Sequence, residues 1–354
     1  MKRRTIVTII GARPQFIKYA AVYREMNKQP SLDSMLIHTG QHFDPNMSDV
    51  FLQAFSLPKP DHFLNINSMT HGKMTALMLE RIEKILLKTK PHTVVVYGDT
   101  DSTLAGALAA KKLGIRLAHV EAGLRSYTMR MPEEINRVLT DAISDILFCP
   151  TKTAVKNLHK EGFHKTPATI ILSGDVMYDA ALFYARYAKK PPYRLSSPFC
   201  LATIHRAENT DNVNTLRKIW QALNRISERI NVVLPLHPRT RKMLAAYKIK
   251  SNFQIVDPVG YFEMLYVLKN CALVITDSGG LQKEAFFFKK PCVIVRDETE
   301  WKELVTGGFA MLAGTNPESI YACFLRMLSK EIISSDSLYG SGQASGSIVK
   351  TLIS

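Results

Sequence analysis

Short apolar runs rich in β-branched residues, each closed by a turn bearing Gly, Asp, Glu or His, alternate with helical patterns along this chain. In the first half the runs are Thr5 to Ile10, Ser34 to His38, Thr93 to Tyr97, Arg116 to Val120, Asp145 to Cys149 and Thr169 to Leu172, with helices expected near Pro14 to Lys28, Thr70 to Leu87 and Ser102 to Leu113. Such order means a parallel, doubly wound sheet with right-handed crossovers. The second half repeats it: strands Cys200 to Ile204, Val232 to Leu236, Phe253 to Val256, Leu273 to Thr276, Cys292 to Val295 and Ala310 to Leu312, with helices near Asn212 to Ile230, Tyr261 to Lys269 and Leu281 to Phe288. The expected class is α/β: two Rossmann-like domains with a ligand cleft between them.

A chain of 354 residues exceeds the roughly 250 to 300 at which a single core stops growing. The reading places an N-terminal domain at 1–172, a C-terminal domain at 173–337 and a final helix at 338–354 that crosses back to the first. The join falls near Ser173-Gly174-Asp175, and the basic stretch to Lys189-Lys190-Pro191-Pro192 reads as helix and loop outside either sheet. Residues Pro60 to Ser68 read as an irregular loop over the site.

With 46% hydrophobic and 22% charged residues, the composition is that of an ordinary soluble globular protein. No stretch approaches the roughly 20 apolar residues of a membrane span, and Thr5 to Ile10 is too short for a signal-peptide core, so a cytoplasmic protein is expected. Five dispersed cysteines without a Cys-x-x-Cys pair read as reduced core residues. A net charge of +15 favours an anionic partner. Absence of a basic arm, zinc-finger spacing or aromatic RNA-binding signature favours a phosphorylated small molecule over nucleic acid or a membrane, with a basic surface lacking any specific partner as the alternative.

Three carboxylates stand at strand ends or a helix start: Asp99 after Thr93 to Tyr97, Glu121 after Arg116 to Val120, and Glu133 behind Pro132. Side chains at strand ends in such sheets face the ligand crevice. Each acid has a structural alternative, since Asp99 is placed to cap the helix near Asp101 and Glu133 to complement a helix N-terminus. Three together, interleaved with Arg125, Arg130 and Arg137, point to proton transfer on an anionic ligand.

Phosphate signals flank them. Gly11-Ala12-Arg13-Pro14 closes the first strand and opens a helix, with Arg13 and Lys18 adding charge there. In the second half, Thr276-Asp277-Ser278-Gly279-Gly280 leads into the helix carrying Glu284, a setting for a pyrophosphate on backbone N–H groups and for ribose hydroxyls on Glu284. His205-Arg206 and His237-Pro238-Arg239 each follow a strand of that half. No His-x-x-x-His spacing or acidic ligand cluster suggests a metal.

Taken together, Gly11-Ala12-Arg13-Pro14, Thr39-Gly40-Gln41-His42, Gly98-Asp99-Thr100, His119 to Arg125, Pro132 to Arg137, His205 to Asn209 and Asp277 to Gly280 resemble the non-hydrolysing UDP-N-acetylglucosamine 2-epimerases. His42 to Ser48, Lys283 to Phe288 and Arg296 to Trp301 look like the branch that epimerises UDP-2,3-diacetamido-2,3-dideoxyglucuronate for surface polysaccharides such as lipopolysaccharide. The resemblance implies a glycosyltransferase-B-like pair of Rossmann domains, an active site in the interdomain cleft, a homodimer, and no metal or nicotinamide. It implies an elimination in which a base removes the C2 proton and UDP leaves C1, followed by re-protonation and return of UDP. Carried over, Asp99, Glu121, Glu133 and His205 are the catalytic candidates. Arg13, Lys18, Arg137 and His237 neutralise phosphate or orient the acids, while Ser278, Gly279, Gly280 and Glu284 hold UDP. A hydrolysing epimerase, a glycosyltransferase of the same architecture and a non-catalytic UDP-sugar sensor are the alternatives. Many family members bind a second UDP-GlcNAc as activator; here Gln41 is kept, Asp44 replaces a longer acid and Ser68 to Lys73 lacks an arginine, so such activation is not expected.

Overall fold

The computed structural model describes residues 3–41, 52–333 and 338–354. His42 and Asp44, and with them the run to Ser48, lie outside the described residues. The chain forms two compact units, the first running to Ala180 and completed by the C-terminal tail, the second beginning at Ala181.

The first unit holds a seven-stranded sheet: β1 (Arg4–Ile10), β2 (Leu32–His38), β3 (His62–Phe63), β4 (Thr93–Tyr97), β5 (Arg116–Val120), β6 (Ile146–Cys149) and β7 (Thr169–Leu172). Its order is β3-β2-β1-β4-β5-β6-β7, with every neighbouring pair parallel. The central strands read as unbroken apolar runs because helices cover both faces; Thr93–Tyr97 is buried at every position. Crossovers run one way from β1 to β2 and the other way to β4, so β1 and β4 flank the point where strand order reverses and the loops part.

The second unit repeats the plan with β8 (Phe199–Thr203), β9 (Asn231–Pro235), β10 (Gln254–Val256), β11 (Leu273–Thr276), β12 (Cys292–Ile294) and β13 (Ala310–Leu312), ordered β10-β9-β8-β11-β12-β13 and parallel throughout. Here β8 and β11 flank the reversal. Trp220, Leu223, Phe324 and Met327 from two helices pack with Leu234 and Ile275 of the sheet into one core. All five cysteines are free and buried inside the units.

The segment expected as an irregular loop is instead built into the first sheet. His62–Phe63 pairs with β2, Leu64 N–H donates to the His38 carbonyl at 2.8 Å, Ile66 N–H to the Thr39 carbonyl at 2.8 Å, and Leu64 and Ile66 are buried. Two residues of strand leave no periodic signal, so only pairing reveals them. The final helix, Ala344–Ile353, packs on the helix Arg13–Met26. The buried Asp179 carboxylate accepts from Ala344 N–H at 3.1 Å and Ser345 N–H at 2.7 Å, anchoring its start. No helix among the described residues is long and apolar enough to cross a membrane.

The helix Asp101–Lys112 lies close on β1 and β4 because its inner face is small. A Cβ on Gly106 would stand 2.8 Å from Ile9 Cδ1 and 3.2 Å from Val96 Cγ1. Gly106→Val is therefore expected to destabilise the first unit by about 1–3 kcal/mol, measured as a lowered urea midpoint; an unchanged midpoint contradicts the packing described.

Candidate active site

At the reversal point of the first sheet, one amide side chain joins the loops after β1 and β4. Gln15 Oε1 accepts from the N–H groups of Gly11 at 2.7 Å and Ala12 at 2.9 Å, while its Nε2 donates to the Tyr97 carbonyl at 2.7 Å. Gly11 has no alternative, since a Cβ would fall 2.0 Å from Thr39 Oγ1 and 2.2 Å from Ser102 Oγ. The loop N–H groups expected to face an anion are thus bonded within the protein, and Arg13, exposed at the helix start, supplies charge there instead.

Two carboxylates follow, each with its own cation. Lys18, 6% exposed, places Nζ 2.5 Å from Glu121 Oε1. Arg137 bonds Asp99 Oδ2 through Nη2 and reaches Glu134 Oε2 through Nη1 at 2.6 Å. The Lys18–Glu121 pair lies against the residue that precedes Asp99: a Cβ on Gly98, where φ is +65°, would lie 3.1 Å from Lys18 Nζ and 3.6 Å from Glu121 Oε1. Glu121 itself has φ +76°, a left-handed conformation costing a residue with Cβ roughly 1–2 kcal/mol. The N–H groups of Glu121 and Ala122, both donating to the Phe148 carbonyl at 3.1 and 3.0 Å, hold the turn against that cost. Strain maintained at such a position motivates a functional reading.

Of the three acids singled out in the sequence, the structure places Asp99 and Glu121 on neighbouring turns. Glu133 stands exposed in the first turn of the helix Pro132–Ile143, and the acid of that turn joining the Asp99 network is its neighbour. Glu134, 1% exposed, accepts from the N–H of Ser126 at 3.0 Å and of Tyr127 at 2.9 Å as well as from Arg137. Asn136 Nδ2 donates to the Asp99 carbonyl at 3.0 Å and to Asp101 Oδ1 at 3.2 Å. Gln41 Oε1 accepts from Ser102 Oγ at 2.6 Å.

Beneath both turns runs a buried charged chain of which the sequence reading singled out only Arg125, and Arg125 is spent on Asp141 and Glu161 rather than turned to a ligand. His119 Nδ1 lies 2.7 Å from Asp141 Oδ1 and its Nε2 2.7 Å from the Gly98 carbonyl. Asp141 Oδ2 accepts from Gly123 N–H at 3.0 Å and Arg125 Nη1 at 2.7 Å, and Arg125 also chelates Glu161. Burial pushes the Asp141 carboxyl up, but the His119 hydrogen bond and the neighbouring charges outweigh it and hold the group below the usual carboxylate range. For Glu134, burial is likewise outweighed, here by the Ser126 and Tyr127 N–H groups and Arg137.

In the second unit the buried Asp277 organises the loop after β8. It accepts from the N–H groups of His205 at 3.0 Å and Arg206 at 3.0 Å and from Asn209 Nδ2 at 3.1 Å, with His205 Nδ1 3.3 Å from its other oxygen. The His205 side chain is 41% exposed and its ring centroid is 6.0 Å from that of His237. His237 caps the helix Pro238–Tyr247, its Nδ1 accepting from Arg239 N–H at 3.2 Å. Arg239 is turned to Asp211, so the two loops do not present equivalent His and Arg pairs.

Ser278 stands at the N-cap position of the helix Gly279–Phe287 without a side-chain capping bond and donates its N–H to Thr276 Oγ1 at 2.9 Å. A Cβ on Gly279 would stand 2.3 Å from Glu300 Oε1 and 3.5 Å from Trp301 Nε1, so backbone is the only thing that fits. One turn on, Lys283 is buried with Nζ 4.0 Å from the Trp301 ring centroid. Glu284, 7% exposed, faces Tyr261, whose hydroxyl is pushed up by burial and by that carboxylate.

Two Rossmann-like units, one with paired carboxylates at its reversal point and one with a glycine-backed helix start at its own, define an α/β nucleotide-handling class of glycosyltransferase-B-like type. The chain belongs to the UDP-N-acetylglucosamine 2-epimerase family, whose model matches residues 24–353. It is 55% identical over 349 residues to a UDP-2,3-diacetamido-2,3-dideoxy-D-glucuronate 2-epimerase of Pseudomonas aeruginosa, covering 98% of this chain and 99% of the relative. The crystal structure of the Methanocaldococcus jannaschii UDP-GlcNAc 2-epimerase in complex with UDP-GlcNAc and UDP matches with TM-score 0.89 and 42% identity over 100% of this chain and 99% of that one. The Neisseria meningitidis UDP-GlcNAc 2-epimerase bound to UDP-GlcNAc matches with TM-score 0.89 and 30% identity, over 99% of both chains.

Glu134 and Asp141 have native carboxyls below their unfolded values. Their contribution to stability is therefore present above the unfolded carboxylate pKa, about 4, and is lost as pH falls through the depressed native values. Glu134→Gln is expected to lower stability near neutral pH by about 1–3 kcal/mol. The gap between variant and wild type, followed by urea unfolding, should close as pH falls below about 4; a gap that does not change with pH contradicts this.

Proposed function

We propose that this protein is a non-hydrolysing UDP-sugar 2-epimerase, an isomerase acting at C2 of a UDP-N-acetylhexosamine. The observation that carries the reading is the adjacency of two cation-paired carboxylates, Asp99 with Arg137 and Glu121 with Lys18, at neighbouring strand ends of a family member. In the proposed reaction a carboxylate takes the C2 proton, the electron pair forms the C1–C2 double bond, and the C1–O bond breaks with release of UDP. Protonation of C2 from the opposite face and re-addition of UDP at C1 complete the epimerisation, with no net redox change.

A C2 proton is weakly acidic, so general base, general acid and leaving-group stabilisation share the barrier. Asp99, Glu121 and Glu133 are proposed for the proton transfers, with His205 as the fourth catalytic residue. Lys18 and Arg137, bonded to the acids, orient them; Arg13 and His237 offset phosphate charge. Gly279 and Gly280 offer backbone N–H groups and Ser278 its hydroxyl at a helix start suited to a pyrophosphate, the Ser278 N–H being held by Thr276 Oγ1, and Glu284 receives ribose hydroxyls.

For the sugar we favour UDP-2,3-diacetamido-2,3-dideoxyglucuronate over UDP-GlcNAc. Support comes from the similarity to the Pseudomonas enzyme over nearly the full length of both chains and from the buried Lys283 and Trp301 pair behind the nucleotide loop. A place in surface-polysaccharide synthesis, a cytoplasmic location and a homodimer belong to the same proposal. Ile135 and Leu139, one turn apart and both exposed, support pairing with a second copy, which light scattering tests directly.

Incubation of each UDP-sugar in heavy water without acceptor is expected to place deuterium at C2, faster with the diacetamido-glucuronate. No exchange with either sugar sinks the epimerase reading, and release of free sugar and UDP would favour a hydrolysing enzyme. Asp99→Asn and Glu121→Gln should each abolish exchange, a loss of about 10²-fold or more for removed acid/base groups, with UDP binding retained. Glu284→Ala should chiefly raise the Kd for UDP. Equal loss of exchange and binding in all three variants contradicts these roles.

A further inference from the structure

We propose that His119 is a positioning residue held as an imidazolium, a buried cation that fixes the Asp99 turn and the Glu121 turn to one another. The ring is fully buried. Its Nε2 meets the Gly98 carbonyl at 2.7 Å, an oxygen that only accepts. Its Nδ1 meets Asp141 Oδ1 at 2.7 Å, and that carboxylate already accepts from Gly123 N–H and Arg125 Nη1 through its other oxygen. An acceptor on each side requires an N–H on each ring nitrogen, which is the cationic form. Either neutral tautomer would set a ring lone pair against an oxygen lone pair in a buried place.

The charges balance in this form. Arg125 is shared between Asp141 and Glu161, so two carboxylates face two cations. Burial pushes the Cys149 thiol up, keeping it neutral beside the chain. Above it, Lys18 and Glu121 form their own pair over Gly98.

The consequence falls on geometry. Gly98 is tied to β5 at both of its polar groups, its carbonyl to His119 and its N–H to the Val120 carbonyl at 2.9 Å. The same Asp141 holds Gly123, two residues past Glu121. Both acid-bearing turns therefore hang on one charged hub, and loosening it shifts Asp99 against Glu121. Misplacement of reacting groups by about 1 Å is enough to cost about 10²-fold in rate.

This inference rests on the epimerase reading for its kinetic half only. In the full chain carrying 13C,15N-labelled histidine, a long-range proton–nitrogen correlation spectrum at about pH 7.5, with the His119 ring assigned through bonds from its own backbone, is expected to show both ring nitrogens protonated. A neutral ring there overturns the proposal. In the deuterium assay, His119→Gln and His119→Asn are expected to lose about 10²-fold in kcat while KM and the Kd for UDP stay within about threefold. Undiminished kcat in either folded variant overturns it as well. If wild type itself exchanges no deuterium, the epimerase reading fails, while the ring-nitrogen spectrum still decides the charge on His119 whether or not the variants fold.

Discussion

The side chain of Gln15 makes the first unit's candidate site possible. A doubly wound sheet parts its loops at the reversal point, and a parted pair of loops does not by itself hold catalytic groups at fixed separation. Gln15 closes the gap with two accepted bonds from the loop after β1 and one donated to the end of β4. An amide serves where a carboxylate or an amine would not, because only it both accepts and donates from one planar group. Once the ends of β1 and β4 are joined, Lys18 on the following helix is aimed across Gly98 at Glu121.

The second unit solves the same problem with a charge. Asp277 at the end of β11 gathers the N–H groups of His205 and Arg206 at the end of β8, again across the reversal point. A neutral tie under the acids leaves their charge balance to Lys18 and Arg137, while the buried Asp277 carboxylate is engaged by backbone N–H groups and by Asn209, which fix the loop carrying His205. Glu300, packed against Gly279 and paired with Arg296, adds a further fixed charge behind the glycine turn.

The strands were legible because central parallel strands are apolar on both faces, so Thr93 to Tyr97 and Leu273 to Thr276 stand out as bounded runs. Loop residues at their ends, Asp99, Glu121, His205 and Ser278, followed from strand order alone. The strand His62–Phe63 was not legible, having too few residues to show a period. The helix Pro317–Leu328 was not assigned although its signal was present, with Asn316 Oδ1 accepting from Glu318 and Ser319 N–H ahead of a proline start. Which charged residues are buried was the larger gap. Glu134 and Glu133 look alike in sequence, and His119 reads as one member of a strand; their fates are decided by Ser126, Arg137, Gly98 and Asp141, partners supplied only by the fold.

The left-handed backbone at Glu121 carries an evolutionary consequence. Glycine adopts that conformation without penalty, so a population selected for stability alone would drift toward glycine there and lose the carboxylate. Keeping glutamate means that each generation retains a strained turn in exchange for a proton-handling group, with the Phe148 carbonyl and the Lys18 ammonium restraining the turn. Position 121 is thus one where persistence of a residue in the face of conformational cost would itself testify to selection for chemistry.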